Sequence, residues 1–520
     1  MPACRISCGK CCDRSEPVRP VKYTTVRYIS RVIYKRLKME DHKAFAIREI
    51  EKKQDLICRV ADEIWSHPEL SLQEFHACEL YCRVLREEGF HVEKGICGIE
   101  TAFAASYGKG GPVIGILAEY DALSGLSQKA FAAQRQPRDC GDTASDCGHG
   151  CGHNILGAGA LAAAIGVRAF LKETGTPGTV ILFGCPGEEG GAAKAFFARD
   201  GLWRKLDAAL TWHPDDANEV VTGSNNACIQ VQYSFHGIAA HASSEPDVGR
   251  SALDAVELMN IGVQFLREHM SDRARVHYAI TDAGGRSPNV VQAESTVLYM
   301  VRSDKVAEAV TLLSRVDKIA EGAALMTETH LTRKFIDGTA EIVPNHVLEQ
   351  LLQRNFEKLG VPHYSPEELS YADALIRTYP SGTKAPGLGS GVSADYAQRA
   401  AAMRRERSMN DFLLPLYDGA AFNPGSSDVG DVSWLTPTAQ IHVAAWPNGC
   451  PGHSWQSTSS AGSGIGHKAA LHAGRVLAAA VLELFTDPQL LEAARMEFQD
   501  KTSKGYTCPI PADASPVVAD

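Results

Sequence analysis

Three short apolar runs end where charged or ligating side chains begin. Residues 113–118 run into Glu119 and Asp121, residues 179–183 lead to Glu188 and Glu189, and residues 208–212 stop at His213. An apolar run of that length reads as a strand buried on both faces. Helical stretches lie between the runs, as in the Ala-rich segment from Ile155 to Leu171. Strand, then acid or imidazole, then helix is the rhythm of an α/β fold, and open parallel sheets place their sites at the carboxyl edge of the strands. The pattern predicts a mixed, largely parallel sheet with flanking helices that gathers these side chains on one edge.

Near residue 225 the rhythm changes. Ile229, Val231, Tyr233 and Phe235 alternate with Gln230, Gln232 and Ser234, which predicts a half-exposed strand of an antiparallel sheet. A helix over 252–269, strands near 276–281 and 294–302, a helix over 306–326 and a strand near 329–336 complete a ferredoxin-like order. Residues 225–343 are therefore expected to be an α+β domain inserted into a catalytic domain made of 39–224 and 344–511, with 512–520 as a tail. The stretch 379–410, rich in Gly, Ala, Ser and Arg, reads as a surface insertion. The helix expected over 467–485 follows a strand over 441–446.

Residues 1–38 stand apart. Cys4, Cys8, Cys11 and Cys12 crowd together among basic residues, and Asp13 and Glu16 are the acids of the stretch. The segment reads as a disordered extension with no secretory signal, and its basic, acid-poor composition also suits an organellar transit peptide. The chain of 520 residues carries 15 Cys with no short secreted disulfide spacing, which points to reduced thiols in the cytoplasm. A net charge of -10 argues against nucleic acid or an anionic membrane as partner. The apolar runs fall short of the roughly 20 residues of a membrane span.

The ligating residues cluster in Gly- and Pro-rich loops. Gly148-His-Gly-Cys-Gly-His-Asn holds Cys151 and His153, with Cys147 and His149 as competing ligands. Glycines there let the backbone turn tightly enough to aim two side chains at one centre. Glu188 and Glu189 are adjacent, so one can bind a metal while the other moves a proton. His213 follows a strand, and His453 sits in Pro-Gly-His-Ser-Trp. A thiolate, imidazoles and carboxylates form a divalent metal set, and a bound metal lowers the pKa of water that a spare carboxylate can deprotonate. In the inserted domain, His241 lies too far along the chain to join that cage unless the insert folds back or a second subunit supplies it. Arg302 offers a fork of N–H donors for a substrate carboxylate.

These motifs, with Ala118-Glu-Tyr-Asp-Ala-Leu, Thr211-Trp-His-Pro, Ala239-Ala-His-Ala, Gly249-Arg-Ser-Ala-Leu-Asp-Ala-Val, Ser427-Asp-Val-Gly-Asp-Val-Ser-Trp and Cys508-Pro-Ile-Pro, resemble the dinuclear amidohydrolases and metallopeptidases of the aminoacylase and carboxypeptidase-G type. The resemblance runs from about residue 40 to Pro511. It implies that Cys151, His153, Glu189, His213 and His453 hold two divalent ions per subunit, Mn2+ or Zn2+. It implies that Glu188 is the general base and acid, and that His241 reaches a neighbouring subunit's site to stabilise the oxyanion. Asn289 and Arg302 would meet the substrate's carboxylate, and Glu119 and Asp121 would stand behind the ligands, with Asp121 orienting a histidine. The inserted domain would serve as lid and dimerisation domain, in a homodimer or with a related subunit.

The implied activity is hydrolysis of an amide between an acyl or aroyl group and an amino acid, with p-aminobenzoyl-glutamate as the expected substrate. Other N-acyl amino acids, auxin conjugates and β-alanyl dipeptides are the alternatives, as is a subunit that needs a related partner for activity. One position departs from the pattern: relatives carry Asp after Cys-Gly-His, whereas this chain has Asn154, which cannot supply negative charge.

Overall fold

The computed structural model describes residues 39–138, 146–381 and 390–518. Residues 39–44 are helical and belong to an N-terminal unit, while everything from Phe45 onward forms a second unit. The expectations for residues 1–38 lie outside the described residues.

In the second unit the chain forms β1 (His91–Lys94), β2 (Phe103–Lys109), β3 (Val113–Ala118), β4 (Gly178–Gly184), β5 (Ala208–Asp215), β6 (Glu219–Val221) and a short β7 (Ser224–Asn225). It continues through β8 (Ala227–His236), β9 (Arg275–Asp282), β10 (Glu294–Ser303) and β11 (His330–Thr339), then β12 (Phe422–Asn423) and β13 (Thr438–Ala444). The large sheet has seven strands in the order β1-β2-β4-β3-β5-β13-β6. Its centre, β4-β3-β5-β13, is parallel, and β1, β2 and β6 are added antiparallel. The three apolar runs of the sequence are β3, β4 and β5, and all three point their carboxyl ends to one edge.

Two long helices, His153–Thr174 and Gly464–Thr486, pack together over this sheet. Small residues set how closely they approach: a Cβ on Gly474 would lie 2.5 Å from Ala162 Cβ. The strand beneath is tied to the first helix by Trp212, whose indole N–H donates to the Leu156 carbonyl at 2.8 Å. By length and composition both helices could cross a membrane, against the expectation from the apolar runs. Alanine and the larger aliphatics raise their hydropathy, while glycines and polar residues interrupt the apolar run. Of their most apolar windows, 94% and 83% is buried inside the protein, which is the place of core helices.

Residues 227–339 build a second sheet, antiparallel, in the order β11-β8-β10-β9. The chain order is strand, helix, strand, strand, helix, strand, with the helices Ala252–Leu266 and Val306–Thr327 on one face. The alternation read from the sequence has a direct cause in this packing. Ile229, Val231, Tyr233 and Phe235 enter the core under the helices, and Gln230, Gln232 and Ser234 occupy the other face. After β11 the chain is pinned to the large domain, where Asp431 accepts the Ala340 N–H at 3.0 Å and the Tyr506 hydroxyl at 2.5 Å.

The stretch 379–410 was expected as a surface insertion. Among its described residues is a helix, Ala394–Arg404, capped by Ser393. Tyr396 and Ala400 are buried against Ala217 and Leu414, so an apolar stripe too short to register in sequence docks the helix.

Candidate metal centre

The edge where β3, β4 and β5 end carries the cluster. Glu119 follows β3, Glu188 and Glu189 follow β4, and His213 lies near the end of β5. Cys151 and His153 arrive from the loop that opens the helix His153–Thr174. Gly152 makes that turn possible: its φ of 74° is left-handed, and a Cβ there would press on Pro214 and Trp446 at 3.0 Å. His453 comes from the loop after β13 and itself holds a φ of 49°.

Three overlapping groups bring candidate ligand atoms within 4.8 Å of one another: Cys151–His153–His213, Cys151–Glu189–His453 and Glu119–His153–Glu188. Cys151 belongs to the first two, so its sulfur can face two ions at once. Cys151 Sγ lies 3.4 Å from His213 Nε2, and His453 Nε2 lies 3.3 Å from Glu189 Oε1. Glu119 Oε2 and His153 Nε2, 3.4 Å apart, are buried without a hydrogen-bond partner. A buried group left unpaired is costly, and Glu119 and His153 belong with Glu188 to one of the three groups, where a cation would satisfy them. Sulfur, imidazole and carboxylate together suit a divalent transition ion.

The supports behind the ligands are in place. Asp121 accepts the His153 Nδ1–H at 2.7 Å, and the His213 Nδ1–H donates to the Pro214 carbonyl at 2.7 Å. Both bonds leave Nε2 free to face the centre, as outer partners of ligating histidines do. Asp121 also accepts the Ser71 hydroxyl and the Glu189 N–H, each at 2.9 Å, which fixes it in turn. Glu74 holds the loop before Glu188 by accepting the Leu72 and Gly187 N–H groups at 2.9 and 2.8 Å.

The electrostatics follow from burial and crowding. Burial pushes the Cys151 thiol up, but the His213 and His153 imidazoles outweigh it and hold the thiol well below its ordinary value. A thiolate is the form that binds metal. Burial, reinforced by the Glu119, Glu189 and Asp428 carboxylates, raises Glu188 well above the usual carboxylate range, while Lys194 works against the rise. Burial and the nearby thiolate lift Glu189 to about 7.

Several sequence expectations can be placed. Cys147 and His149 do not join these groups: Cys147 Sγ turns to Asp146, and His149 Nε2 lies 3.2 Å from the Ile64 carbonyl. Asn154 points away from the centre, its amide donating to the Ala61 and Ala461 carbonyls at 3.3 and 3.1 Å. Glu119 stands nearer than the supporting position expected for it, with Oε2 3.4 Å from His153 Nε2. His241 is exposed, outside all three groups, and its Nδ1 accepts the Ser243 and Ser244 N–H groups. Asn289 lies beside it, donating no side-chain bond there but accepting the Ala242 N–H on its carbonyl at 3.0 Å.

Arg302 is not with them. It is next to last in β10, whereas the His241–Asn289 loops meet near the strand's start, where Glu294 pairs with His236. At about 3.3 Å per residue, Glu294 and Arg302 are roughly 26 Å apart. One chain therefore does not bring Asn289 and Arg302 to the same carboxylate.

The sequence reading missed Lys194 and Asp428. The Lys194 ammonium is fully buried, 2.7 Å from Glu119 Oε1 and 2.6 Å from Asp428 Oδ1. The signal available was Asp428 inside Ser427-Asp-Val-Gly-Asp. A lone Lys in the run Ala193-Lys-Ala-Phe-Phe gave little to distinguish it from a surface lysine.

An α/β sheet with a thiolate, imidazoles and carboxylates at its carboxyl edge defines a metallohydrolase architecture. Residues 116–368 match peptidase family M20/M25/M40. One of the subunits of the Escherichia coli p-aminobenzoyl-glutamate hydrolase is 41% identical over 470 residues, covering 90% of this chain and 97% of that one. A mouse Xaa-Arg dipeptidase is 27% identical over 472 residues, covering 88% of this chain and 92% of its own. Among solved structures, an aminobenzoyl-glutamate utilization protein from Klebsiella pneumoniae superposes with a TM-score of 0.54 at 15% identity, over 84% of this chain and 97% of that one, a likeness of fold. The chain belongs to peptidase family M20/M25/M40 and is a hydrolase of amide bonds.

Proposed function

We propose that this chain hydrolyses the amide of p-aminobenzoyl-glutamate, releasing p-aminobenzoate and glutamate. The observation that carries the reading is the position of Cys151, shared by two ligand groups, with Glu188 beside them. Cys151, His153 and His213 would hold one divalent ion, and Cys151, Glu189 and His453 the other, Mn2+ or Zn2+. When bound, the ions supply polarisation of the scissile carbonyl and a lowered pKa for the attacking water. Glu188 takes the proton from that water and delivers it to the leaving nitrogen of glutamate. Its raised pKa suits a group that must hold the proton between the two transfers. Asp121 keeps His153 in the tautomer that presents Nε2, and Ser71 keeps Asp121 turned toward it.

The inserted residues 225–343 serve in this reading as a ferredoxin-like lid and dimerisation domain. Two features support it. β9 is an edge strand with Tyr278 and Ile280 exposed, an invitation to pair with another chain. The helical side also exposes Phe265, Leu325 and Met326, at 67%, 83% and 65%. A second copy or a related chain resolves the separation of Asn289 and Arg302, since His241 of the partner subunit can then stabilise the oxyanion in this chain's site. The related chain is in keeping with the Escherichia coli relative, which is one of the subunits of its hydrolase.

The test is release of glutamate from p-aminobenzoyl-glutamate by the purified chain with manganese, with zinc, with chelator and with Glu188→Ala. Turnover that needs both metal and Glu188 is expected. No turnover with two ions bound per chain moves the reading to another acyl amino acid or to a missing subunit.

A further inference from the structure

Arg275 and Arg302 stand directly opposite each other across β9 and β10. Their neighbours Val276 and Val301 are in the core under the helices, so both arginines emerge on the open face of the inserted sheet. Like charges placed opposite in a strand pair repel. The fold does not relieve them with an acid: among the described residues neither guanidinium has a carboxylate within ion-pair distance. Arg275 donates to the Asp272 and Ala274 carbonyls, each at 2.6 Å, and Arg302 to Ser426 Oγ at 2.7 Å and to the Met300 sulfur at 3.0 Å. The cations beside them are paired, Arg273 with Asp304 at 2.8 Å and Lys305 with Glu341 at 3.4 Å. Asp337 is close enough to feel Arg302, but burial pushes it up to about 7, so its countercharge is partial. His277, on the same face one step along β9, is depressed by partial burial and then by Arg302, Arg267 and Arg275.

Both arginines line a cavity of about 1670 Å³ whose other wall includes Asp215 and His442. His442 pairs in register with His213, and the two rings are 6.1 Å apart. The cavity, which also meets Glu219, Asp272 and Asp304, thus runs from a pair of guanidiniums without a carboxylate in ion-pair contact among the described residues to the strand beside a candidate metal ligand.

The resemblance already gives Arg302 one substrate carboxylate; we propose that Arg275, opposite it, takes the second carboxylate of a two-carboxylate amine half and so selects for it. The proposal rests on the hydrolase reading above and adds a specificity residue to it. Two guanidinium forks about 5 Å apart at their Cβ atoms can each take one carboxylate in a bidentate bond. The bound dicarboxylate replaces the repulsion between the arginines with two attractions. A monocarboxylic amino acid leaves Arg275 unsatisfied and gains half of this.

The test separates binding from turnover. Glutarate and butyrate are titrated calorimetrically into the metal-free full-length chain at low chloride. The wild type is expected to bind glutarate about ten- to a hundredfold more tightly than butyrate, as one charged hydrogen-bonded contact implies. Arg275→Gln should bring that ratio to about one by costing glutarate far more affinity than butyrate, and Arg275→Lys should keep part of the ratio. In parallel, kcat/KM for p-aminobenzoyl-glutamate is compared with that for p-aminobenzoyl-glutamine, and the preference should shrink by a similar factor in Arg275→Gln. If the wild type turns over neither amide, the substrate reading fails, while the glutarate titration still decides the subsite. Equal affinity of the wild type for the two acids, no binding of glutarate, or equal losses for both in Arg275→Gln would overturn the proposal.

Discussion

The Lys194 ammonium lies 2.7 Å from Glu119, with side-chain exposures of 0% and 3%. Asp428 completes the contact at 2.6 Å from the other side, also fully buried. One cation therefore bridges two carboxylates behind the candidate metal centre, offsetting one of their two charges, and a third carboxylate, Glu188, feels it. Removing one partner of a buried ion pair leaves an uncompensated charge, which costs about 3–5 kcal/mol. Lys194→Met should lower the stability of the metal-free chain by that order in urea unfolding. A loss below about 0.5 kcal/mol would mean that water or protonation takes over the role of Lys194.

Glu188 and Glu189 are neighbours in sequence with different expected roles, and replacement distinguishes them. Glu188→Gln keeps size and removes the base. Bound metal should stay at the wild-type amount while kcat falls by about 10²–10⁴, the span of a positioned general base. Metal analysis of the same sample used for turnover checks both halves. Loss of metal along with activity would make Glu188 a ligand, as its place in the Glu119–His153–Glu188 group allows.

The sharing of Cys151 between two groups predicts graded metal loss. His213→Ala touches the group with His153, and His453→Ala touches the group with Glu189. Each should leave about one ion per chain, whereas Cys151→Ala should strip both. Because a bound ion stabilises the folded state in proportion to RT ln(1 + [L]/Kd), the metal-induced rise in Tm should shrink in the same order. Two ions retained by Cys151→Ala would end the bridging role.

The sheet was legible because β3, β4 and β5 are largely buried and, Thr179 and Thr211 apart, apolar up to the residues that lead into the ligating side chains. The glycine-rich loop was legible as a place for ligands, but its residues left Cys147 and His149 open beside Cys151 and His153, and the resemblance alone chose the second pair. Other features depend on distances the chain order hides. Asn289 and Arg302 look alike in sequence, two polar residues near strand ends, yet β10 holds them at opposite ends. Lys194 acquires its role from Asp428, which is 234 residues away. Glu119 was expected behind the ligands; its Oε1 meets Lys194 while its Oε2 lies 3.4 Å from His153. The helix expected over 467–485 is Gly464–Thr486, legible because its small and aliphatic residues fill the core.

His472 gives a pH dependence that is separate from the metal centre. It lies in the helix Gly464–Thr486 with 5% exposure, and its Nε2–H donates to the Gly360 carbonyl at 2.9 Å. Burial lowers its pKa from 6.5 to about 4, and Arg475 adds to the effect. The folded state therefore keeps this imidazole neutral while the unfolded chain protonates it near 6.5. Between those values the unfolded state binds more protons, so stability must fall as pH falls. The contribution is fully present above pH 6.5 and is lost progressively toward pH 4, at a slope of at most about 1.4 kcal/mol per pH unit. His472→Gln retains an N–H donor and does not titrate. The stability difference between wild type and His472→Gln, measured by urea unfolding of the metal-free chain at closely spaced pH values, should narrow in favour of the variant from pH 6.5 to 4. A difference that stays constant over that range would show that His472 is protonated in the folded protein as readily as in the unfolded one.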